Sequence, residues 1–289
     1  MKSEQTSLQF DEPPVESRGF FVSLPSTLRG MVWTENKAQL IQRYLKLFVY
    51  ITKHGTYIDG FAGPQRPGHP DSWAAALVLE NRPAWMRNFF LCERNHDKIP
   101  ALIALQQTQP KLKSKRRIEV LEGDFNERLP YILNTGVIDE KQATFCLLDQ
   151  HTFECKWASV ELLARHKKSR KIELFYFLGT SWLGRALRAD KDVERVRAWW
   201  GRDDWQQLKG KSGQSVAELL AERFQKDLHY QTALAWPIYE SATGKRVMFH
   251  MIHASDHPEA HKLMYRAYNF AVGIRSSIAA MKQLAFEGI

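Results

Sequence analysis

The chain lacks a long apolar run and a leader-like start. Among its 289 residues, no stretch approaches the ~20 apolar residues that a membrane-spanning helix needs. Glu4, Asp11 and Glu12 precede any apolar stretch, which is not the layout of a secretory signal peptide. These absences predict a cytoplasmic protein that has no membrane partner.

Cysteine is also scarce. The chain has three cysteines, an odd number without CxxC spacing, which indicates neither a disulfide framework nor a zinc knuckle. Cys92 and Cys146 lie in apolar, strand-like runs, where a thiol serves as a small hydrophobic side chain. His257 and His261 have i, i+4 spacing on a predicted helix, but no Cys or carboxylate motif accompanies them. We therefore expect no metal site.

Basic residues, in contrast, are in excess. There are 41 Lys and Arg against 32 Asp and Glu, and the resulting formal charge of +9 favours polyanionic partners. Two runs stand out: Lys111, Lys113, Lys115, Arg116 and Arg117, and then Arg165, His166, Lys167, Lys168, Arg170 and Lys171. Each run precedes a predicted strand, at the edge opposite a ligand crevice. This position favours solvated loop charge, and a nucleic-acid contact would have to extend around the molecule.

Short apolar strands alternate with helix-like segments from about residue 31 onward. A first helix is predicted after Trp33 and Thr34, with Thr34 as its cap. The predicted strands are Tyr57 to Asp59, Asn88 to Glu93, Ile118 to Leu121, Ala143 to Asp149 and Ile172 to Phe177. The predicted helices between them are Trp73 to Glu80, His96 to Gln107, Phe125 to Leu133 and Trp157 to His166. The alternation predicts an α/β fold with a mostly parallel, Rossmann-like sheet.

The two ends of the chain depart from this rhythm. Residues 1–30, which are rich in proline, are predicted to be an irregular arm, and residues 31–289 a single domain. A helical insertion is predicted over about residues 185–230, and an antiparallel hairpin follows from Thr232 to Tyr239 and Arg246 to Ala254. Trp199, Trp200 and Trp205 lie in the insertion among arginines. They fit the core of a small helical cap better than a stacking surface for single-stranded nucleic acid.

The segment from Thr56 to Pro64 is the most informative motif. It reads Thr-Tyr-Ile-Asp-Gly-Phe-Ala-Gly-Pro, an apolar strand that ends in an acid and a small-residue turn. Gly60 and Gly63 would let backbone approach a ligand closely, and a carboxylate at a strand end can bind a ribose or an ammonium group. A plain turn is the alternative. The Asp-x-Phe-Ala-Gly pattern resembles the first motif of S-adenosylmethionine-dependent methyltransferases.

Acids end four successive strands of the predicted sheet: Asp59, Glu93, Asp124 and Asp149. Ligands of an open parallel sheet bind outside the carboxyl ends of its strands, so these acids are expected on one rim. An adenosyl ligand offers ribose hydroxyls to Glu93, an adenine amino group to Asp124 and a cationic amino acid end to Asp59. Phe125 would stack on the adenine ring.

The predicted cofactor-binding residues are therefore Asp59, Gly60, Phe61, Ala62, Gly63, Glu93, Asp124 and Phe125. Two of the acids have a simpler interpretation. Glu93 could be an exposed strand-end acid, and Asp124 could cap the helix that begins near Phe125.

Most of the chain resembles the three-Cys-motif partner family, a bacterial and phage group with a methyltransferase-like fold. The resemblance rests on the 57–64 segment together with several short segments: Trp33-Thr34 with Lys37 and Tyr44, Phe90 to Glu93, Gly123-Asp124, Leu148-Asp149, Trp157, Glu173 to Phe177, Gly184-Arg185, His257-Pro258 and His261 to Met264. It implies S-adenosylmethionine as cofactor and a neighbouring three-Cys-motif protein as partner. No settled reaction follows from it.

The chain departs from related proteins at the end of the fourth strand. They carry Asp-Pro-Phe or Asp-Pro-Tyr and then Gly, akin to the Asp-Pro-Pro-Tyr of enzymes that methylate amino groups of nucleic acids. Here the segment is Asp149-Gln150-His151-Thr152-Phe153, so proline's fixed φ is lost. The predicted catalytic residues are Asp149, which could bind a target amine, His151, which could take a proton, and Phe153, which could stack on a base. Alternatively, Gln150 and His151 are merely polar loop residues.

Two functions of different classes follow. The first is methyl transfer from S-adenosylmethionine to a nucleic acid, and the family resemblance alone implies a setting in phage defence or in modification of phage nucleic acid. The second is a non-catalytic member of the same fold that binds a neighbouring gene product, which the loss of Pro and Gly after Asp149 favours. A nucleotide hydrolase lacks support because there is no Gly-Lys-Ser/Thr phosphate loop.

Overall fold

Seven strands form the central sheet. The computed structural model describes residues 17–18, 21–22, 32, 36–66, 68–109, 116–189, 192–241 and 246–272. The strands are β1 (Gly55–Asp59), β2 (Met86–Glu93), β3 (Arg117–Glu122), β4 (Thr144–Leu148), β5 (Glu173–Leu178), β6 (Thr232–Tyr239) and β7 (Val247–Ser255). Their bounds differ from the predicted strands by at most two residues.

The order of the strands across the sheet is β3-β2-β1-β4-β5-β7-β6. β1 to β5 run parallel to one another, whereas β7 is antiparallel to both β5 and β6. The predicted α/β, Rossmann-like sheet with a C-terminal antiparallel hairpin is thereby confirmed. The chain winds in opposite directions on the two sides of the β1/β4 boundary, and such a switch point opens a crevice at the carboxyl ends of the strands.

Helices cover both faces of the sheet. They are α1 (Lys37–Thr52), α2 (Ala74–Glu80), α3 (Ile99–Thr108), α4 (Phe125–Leu133), α5 (Trp157–Arg165), α6 (Thr180–Ala189), α7 (Val193–Trp200), α8 (Gly213–Lys226) and α9 (260–272). Asp124 caps α4 and Ser212 caps α8, each accepting a backbone N–H of the first turn. α1 begins at Lys37, and Thr34, its predicted cap, lies outside the described residues.

The core has two halves because successive strand residues point to opposite faces of the sheet. Tyr57 and Phe145 pack with residues of α1, α2, α3 and α9. Ile58 and Cys146 pack with residues of α4 to α8 on the other face. Cys92, Cys146 and Cys155 are free and buried, as predicted for the first two.

The tryptophans of the predicted insertion belong to this second half of the core. Trp199, Trp200 and Trp205 are at most 5% exposed, which confirms the packing interpretation over a stacking surface. The indole of Trp199 donates a hydrogen bond to the hydroxyl of Tyr176 on β5 at 2.7 Å. The guanidinium of Arg223 lies 4.4 Å from the ring centre of Trp200. α6 to α8 therefore pack on the sheet as part of one core.

Little of the predicted N-terminal arm is described. Ser17–Arg18 and Phe21–Val22 pair as two short antiparallel strands, and the rest of residues 1–30 lies outside the described residues. The tip of the β6–β7 hairpin, residues 242–245, also lies outside them. No helix within the described ranges is long and apolar enough to cross a bilayer.

Candidate functional site

A cavity of about 370 Å³ opens at the carboxyl ends of β1 to β4. We call it the carboxyl-edge cavity. Its lining includes eight of the predicted site residues, namely Gly60, Phe61, Gly63, Glu93, Asp124, Phe125, Asp149 and His151, and it adds Gln65, Arg94, Asn95, Lys98, Gly123 and Glu154. Segments that are up to about 90 residues apart in the chain therefore meet where the sheet topology predicts a ligand crevice.

Asp59, the last residue of β1, lies beside the cavity and not on its wall. Its carboxylate accepts hydrogen bonds from the hydroxyl of Tyr57 at 2.8 Å and from the backbone N–H of Phe61 at 3.1 Å. The residue is 2% exposed, and burial raises the pKa of its carboxyl to about 7, although both hydrogen bonds lower it. With Ala62, it lines a narrow crevice that also contains Lys37 and Asp149.

The turn after β1 is joined to the end of β2 by Glu93. One carboxylate oxygen of Glu93 accepts the backbone N–H of Gly63 at 2.9 Å, and the other accepts that of Asn95 at 2.7 Å. A Cβ atom at Gly63 would lie 2.3 Å from the Glu93 carboxylate and 2.6 Å from Lys98, so only glycine allows this approach. The side chain of Glu93 is thus oriented before any ligand arrives.

Asp124 caps α4 and also lies on the wall of the cavity. Its Oδ1 accepts the backbone N–H of Asn126 at 2.8 Å, which caps α4. Its Oδ2 lies 3.9 Å from the guanidinium of Arg94, and its side chain is 30% exposed at the cavity. One oxygen of the carboxylate therefore remains available to a ligand.

Phe125 is placed differently from the prediction. The residue is 2% exposed, and its ring lies beneath the β1 turn, 3.1 Å from where a Cβ of Gly60 would stand. As the first residue of α4, Phe125 packs in the core, and at this exposure it leaves little of its surface at the cavity wall for an adenine. Half-buried Phe61, whose ring centre is 6.2 Å from that of Phe125, is the more exposed of these two aromatic residues of the cavity lining.

Asp149 follows β4 and is held by two donors. The Nζ atom of Lys37 lies 2.7 and 2.8 Å from its two oxygens, and Nε2 of Gln65 donates to Oδ2 at 2.6 Å. The ion pair is buried, with side chains 6% and 8% exposed, and the Lys37 ammonium also lies within 4.9 Å of the ring centres of Phe177 and Phe249. A target amine at Asp149 would have to share the carboxylate with Lys37.

Two side chains brace the turn after Asp149. Gln150, 1% exposed, accepts the backbone N–H of Cys155 at 2.9 Å through Oε1. Glu154 accepts the backbone N–H groups of His151 at 2.7 Å and Thr152 at 3.1 Å. Gln150 is thus a structural residue of the turn, whereas His151 is exposed and lines the cavity.

Phe153 does not reach the cavity. It is 3% exposed and its ring packs 4.9 Å from that of Trp199, centre to centre. The bend of the braced turn directs this ring inward, so Phe153 has no face for a base and packs in the core instead.

Sequence reasoning missed several residues of the site. Lys37 enters the sequence prediction only through the family resemblance, and Gln65, Lys98 and Glu154 are absent from the predicted site. Lys37 and Asp149 are 112 positions apart, and nothing in the local pattern around either residue indicates the pair. Lys98 could have been suspected, because it follows the end of β2 by five positions in a segment that begins a helix.

The cavity combines acids with backbone amides and a half-buried ring. Carboxylates at the ends of four neighbouring strands suit a ligand that carries hydroxyl, amino and cationic groups. No group of three or more His, Cys, Asp or Glu residues in the described ranges could hold a metal ion. These residue types fit an adenosyl amino acid.

The chain is similar to known proteins in its fold and not in its sequence. The sequence matches no protein-family model and no curated protein. The structure is similar to a DUF574 family protein from Streptomyces avermitilis MA-4680, with 14% identity, 77% of this chain and 83% of that chain covered, and a TM-score of 0.46. It is similar to Trm1 from Pyrococcus horikoshii in complex with S-adenosyl-L-methionine, with 13% identity, 80% and 58% covered, and a TM-score of 0.44.

A third similar structure is a candidate methyltransferase from Bacillus halodurans C-125, with 12% identity, 74% of this chain and 98% of that chain covered, and a TM-score of 0.31. At these identities and scores, the three structures carry no argument about chemistry. The function has to be argued from the side chains of the chain itself.

Proposed function

We propose that the protein is an S-adenosylmethionine-dependent methyltransferase that acts on nucleic acid. The observation that carries the proposal is the convergence of Glu93, Asp124 and Asp149, with Asp59 beside them, at one cavity of the sheet's switch point. The resemblance to the three-Cys-motif partner family supports the same cofactor. It also motivates a role in phage defence or modification of phage nucleic acid, with a neighbouring three-Cys-motif protein as partner.

Each wall of the cavity suits one part of the donor. Glu93, already oriented by two backbone amides, would accept the ribose hydroxyls. Asp124 would accept the adenine amino group through its free oxygen, with half-buried Phe61 in place of Phe125 as the aromatic contact. The cavity wall at Gly60 and Gly63, with the carboxyl of Asp59 behind this turn, would take the cationic amino acid end.

When bound, S-adenosylmethionine supplies a methyl group on a sulfonium centre. The chain's own residues would position the acceptor in line with it, because ordering two reactants removes much of the entropic cost of their meeting. Asp149 would orient a target amine, with Lys37 and Gln65 fixing the carboxylate. Exposed His151, at the same wall, would take the proton that the amine releases.

A labelled methyl group tests the proposal. Wild-type protein is incubated with S-adenosylmethionine that carries a tritiated methyl group, together with pools of DNA and RNA, and label in the polymer is counted. We expect incorporation by the wild type and a loss of about 100-fold or more in Asp149→Asn, since charge-assisted positioning of the acceptor is removed. Glu222→Gln, which removes an equivalent charge on α8, serves as the matched control.

A non-catalytic binding protein is the second candidate, and one observation favours it. Both oxygens of Asp149 already bind Lys37, and one also binds Gln65, so the acceptor position is occupied by the protein's own ammonium group. If the protein binds the donor but transfers no methyl group to DNA, RNA or protein, this alternative replaces the first. Addition of the neighbouring three-Cys-motif protein to the assay then tests whether a partner is required.

A further inference from the structure

A second cavity, of about 740 Å³, lies at the opposite edge of the sheet. We call it the amino-edge cleft, because its lining includes Thr144 and Glu173, the first residues of β4 and β5. Its walls come from the end of α1, the start of α9 and two loops, residues 140–143 and 167–171. The proposed methyl transfer uses none of these residues.

The 167–171 loop is fixed in place by its neighbours. Glu140 accepts the backbone N–H groups of Lys168 at 2.7 Å and Ser169 at 3.1 Å. Lys167 is 3% exposed, and its Nζ atom donates to the carbonyl of Gln142 at 2.6 Å. These bonds determine where the remaining basic side chains of the loop emerge.

Lys168 and Arg170 present charge that the protein does not neutralise. Both residues are exposed, and neither side chain forms a hydrogen bond or an ion pair within the described part of the chain. Arg170 has φ of 52°, a left-handed conformation that residues other than glycine adopt rarely. The loop therefore holds two free cations at the mouth of the cleft.

The acids of the cleft are already engaged. Glu140 binds the loop amides, Glu173 is 6% exposed and accepts a hydrogen bond from Ser255 at 3.0 Å, and Asp256 lies 3.4 Å from the ammonium of Lys171. What remains for a ligand is the basic rim. The chemistry of the cleft therefore selects an anion.

Cations continue along the same edge beyond the cleft. Lys53, at the end of α1, and Arg87, near the start of β2, are both exposed. The ammonium of Lys53 lies 4.7 Å from the ring centre of Trp85, and Tyr50, which is 46% exposed, packs against the same ring. This edge thus presents exposed cations beside partly exposed rings. Such a spread of charge suits a charged polymer better than a small anion.

We propose that the amino-edge cleft and the adjoining edge bind the phosphodiester backbone of a nucleic acid. This surface is distinct from the carboxyl-edge cavity and does not depend on the proposed methyl transfer. β1 and β2 have 5 and 8 residues, so the two edges are separated by roughly 17 to 26 Å at about 3.3 Å per residue. A polymer can span this distance along the side of the molecule.

The test is the binding of fluorescein-labelled DNA duplex and RNA single strands, each about 20 nucleotides long, followed by anisotropy at increasing salt. For Lys168→Gln/Arg170→Gln we expect affinity for the duplex to fall about tenfold or more near 0.1 M salt. The slope of log affinity against log salt should become less steep by about 1.8, because the variant loses two phosphate contacts and each contributes about 0.9 to the slope. Lys209→Gln/Lys211→Gln removes the same charge from the exposed loop before α8 and should change neither quantity appreciably.

Two results would overturn this proposal. One is an unchanged slope in the cleft variant, or equal losses in the cleft and control variants. The other is binding of inorganic phosphate alone. In that case phosphate raises the melting temperature of the wild type but not of the cleft variant, and neither oligonucleotide binds. Binding of S-adenosylmethionine is measured separately on the same proteins, so failure of the proposed donor site is distinguished from failure of this surface.

Discussion

The carboxylates at the carboxyl edge differ in the capacity that they keep for a ligand. Each carboxylate can accept about four hydrogen bonds. Asp124 has one oxygen committed to its cap, and Glu93 uses one bond per oxygen for backbone amides. Asp59 is buried with both oxygens bonded, so its first task is to hold the glycine turn. We therefore propose that ligand recognition at residue scale rests chiefly on Glu93 and Asp124.

Asp59 predicts an unusual dependence of stability on pH. Burial raises its pKa from the ordinary value near 4 to about 7, so the folded state binds a proton that the unfolded state has released between these values. This contribution to stability is complete below about pH 4 and is lost as pH rises through about 7. From about pH 5 to pH 8, the free energy of unfolding of the wild type should fall by about 2 to 3 kcal/mol relative to that of Asp59→Asn, because the amide does not titrate.

Urea unfolding of both proteins at the two pH values measures this difference. Asn keeps an acceptor for the N–H of Phe61, which makes it a close structural match. If the free energies of unfolding of the two proteins change in parallel with pH, Asp59 is ionised in the folded state throughout the range, and the assigned cause is wrong.

At the scale of elements, two side chains brace the turn between β4 and α5. Gln150 and Glu154 accept three backbone N–H groups of a seven-residue stretch, which gives it a defined shape without a fixed φ. The same shape points Asp149 and His151 toward the cavity and Phe153 into the core. The turn can therefore present an acid even though the Asp-Pro pattern is absent.

Removing one brace should be costly. Gln150→Ala leaves the buried N–H of Cys155 without its acceptor, which we expect to lower the free energy of unfolding by about 1 to 3 kcal/mol. Chemical unfolding measures the loss, and Gln207→Ala, an exposed glutamine between α7 and α8, provides the comparison with an effect below about 0.5 kcal/mol. Equal stability of Gln150→Ala and wild type would mean that the turn is held by other contacts.

Local patterns predicted the elements but not every side-chain direction. Apolar runs with turn residues between them located β1 to β7, and the rule that ligands bind at carboxyl ends located the cavity. Phe125 is predicted to contact a ligand because it follows Asp124, and Phe153 because the motif that the segment resembles has an aromatic residue after its acid, yet both side chains are buried. The directions of these two rings depend on the backbone geometry of the turns before them, which local sequence patterns do not predict.

At the scale of the whole molecule, charge is divided between the two edges of one sheet. The carboxyl edge gathers Glu93, Asp124, Asp149 and Glu154 at one cavity, whereas the amino edge presents the free cations Lys168 and Arg170. The net charge of +9 does not show this division, but the predicted strands do, because the acids follow strand ends and the basic runs precede strand starts. The buried pair of Lys37 and Asp149 is different: it is a long-range contact that forms only in the folded topology, and no local pattern indicates it. A donor site and a polyanion surface can thus be altered independently.

Donor binding is the central claim, and calorimetric titration with S-adenosylmethionine and its demethylated product tests it most directly. We expect micromolar affinity in the wild type and in Glu222→Gln. In Glu93→Gln the affinity should be about 10 to 100 times weaker, because a charge-assisted hydrogen bond contributes about 1.5 to 3 kcal/mol. No binding at millimolar ligand, or equal affinity in Glu93→Gln and wild type, would contradict the assignment of the carboxyl-edge cavity.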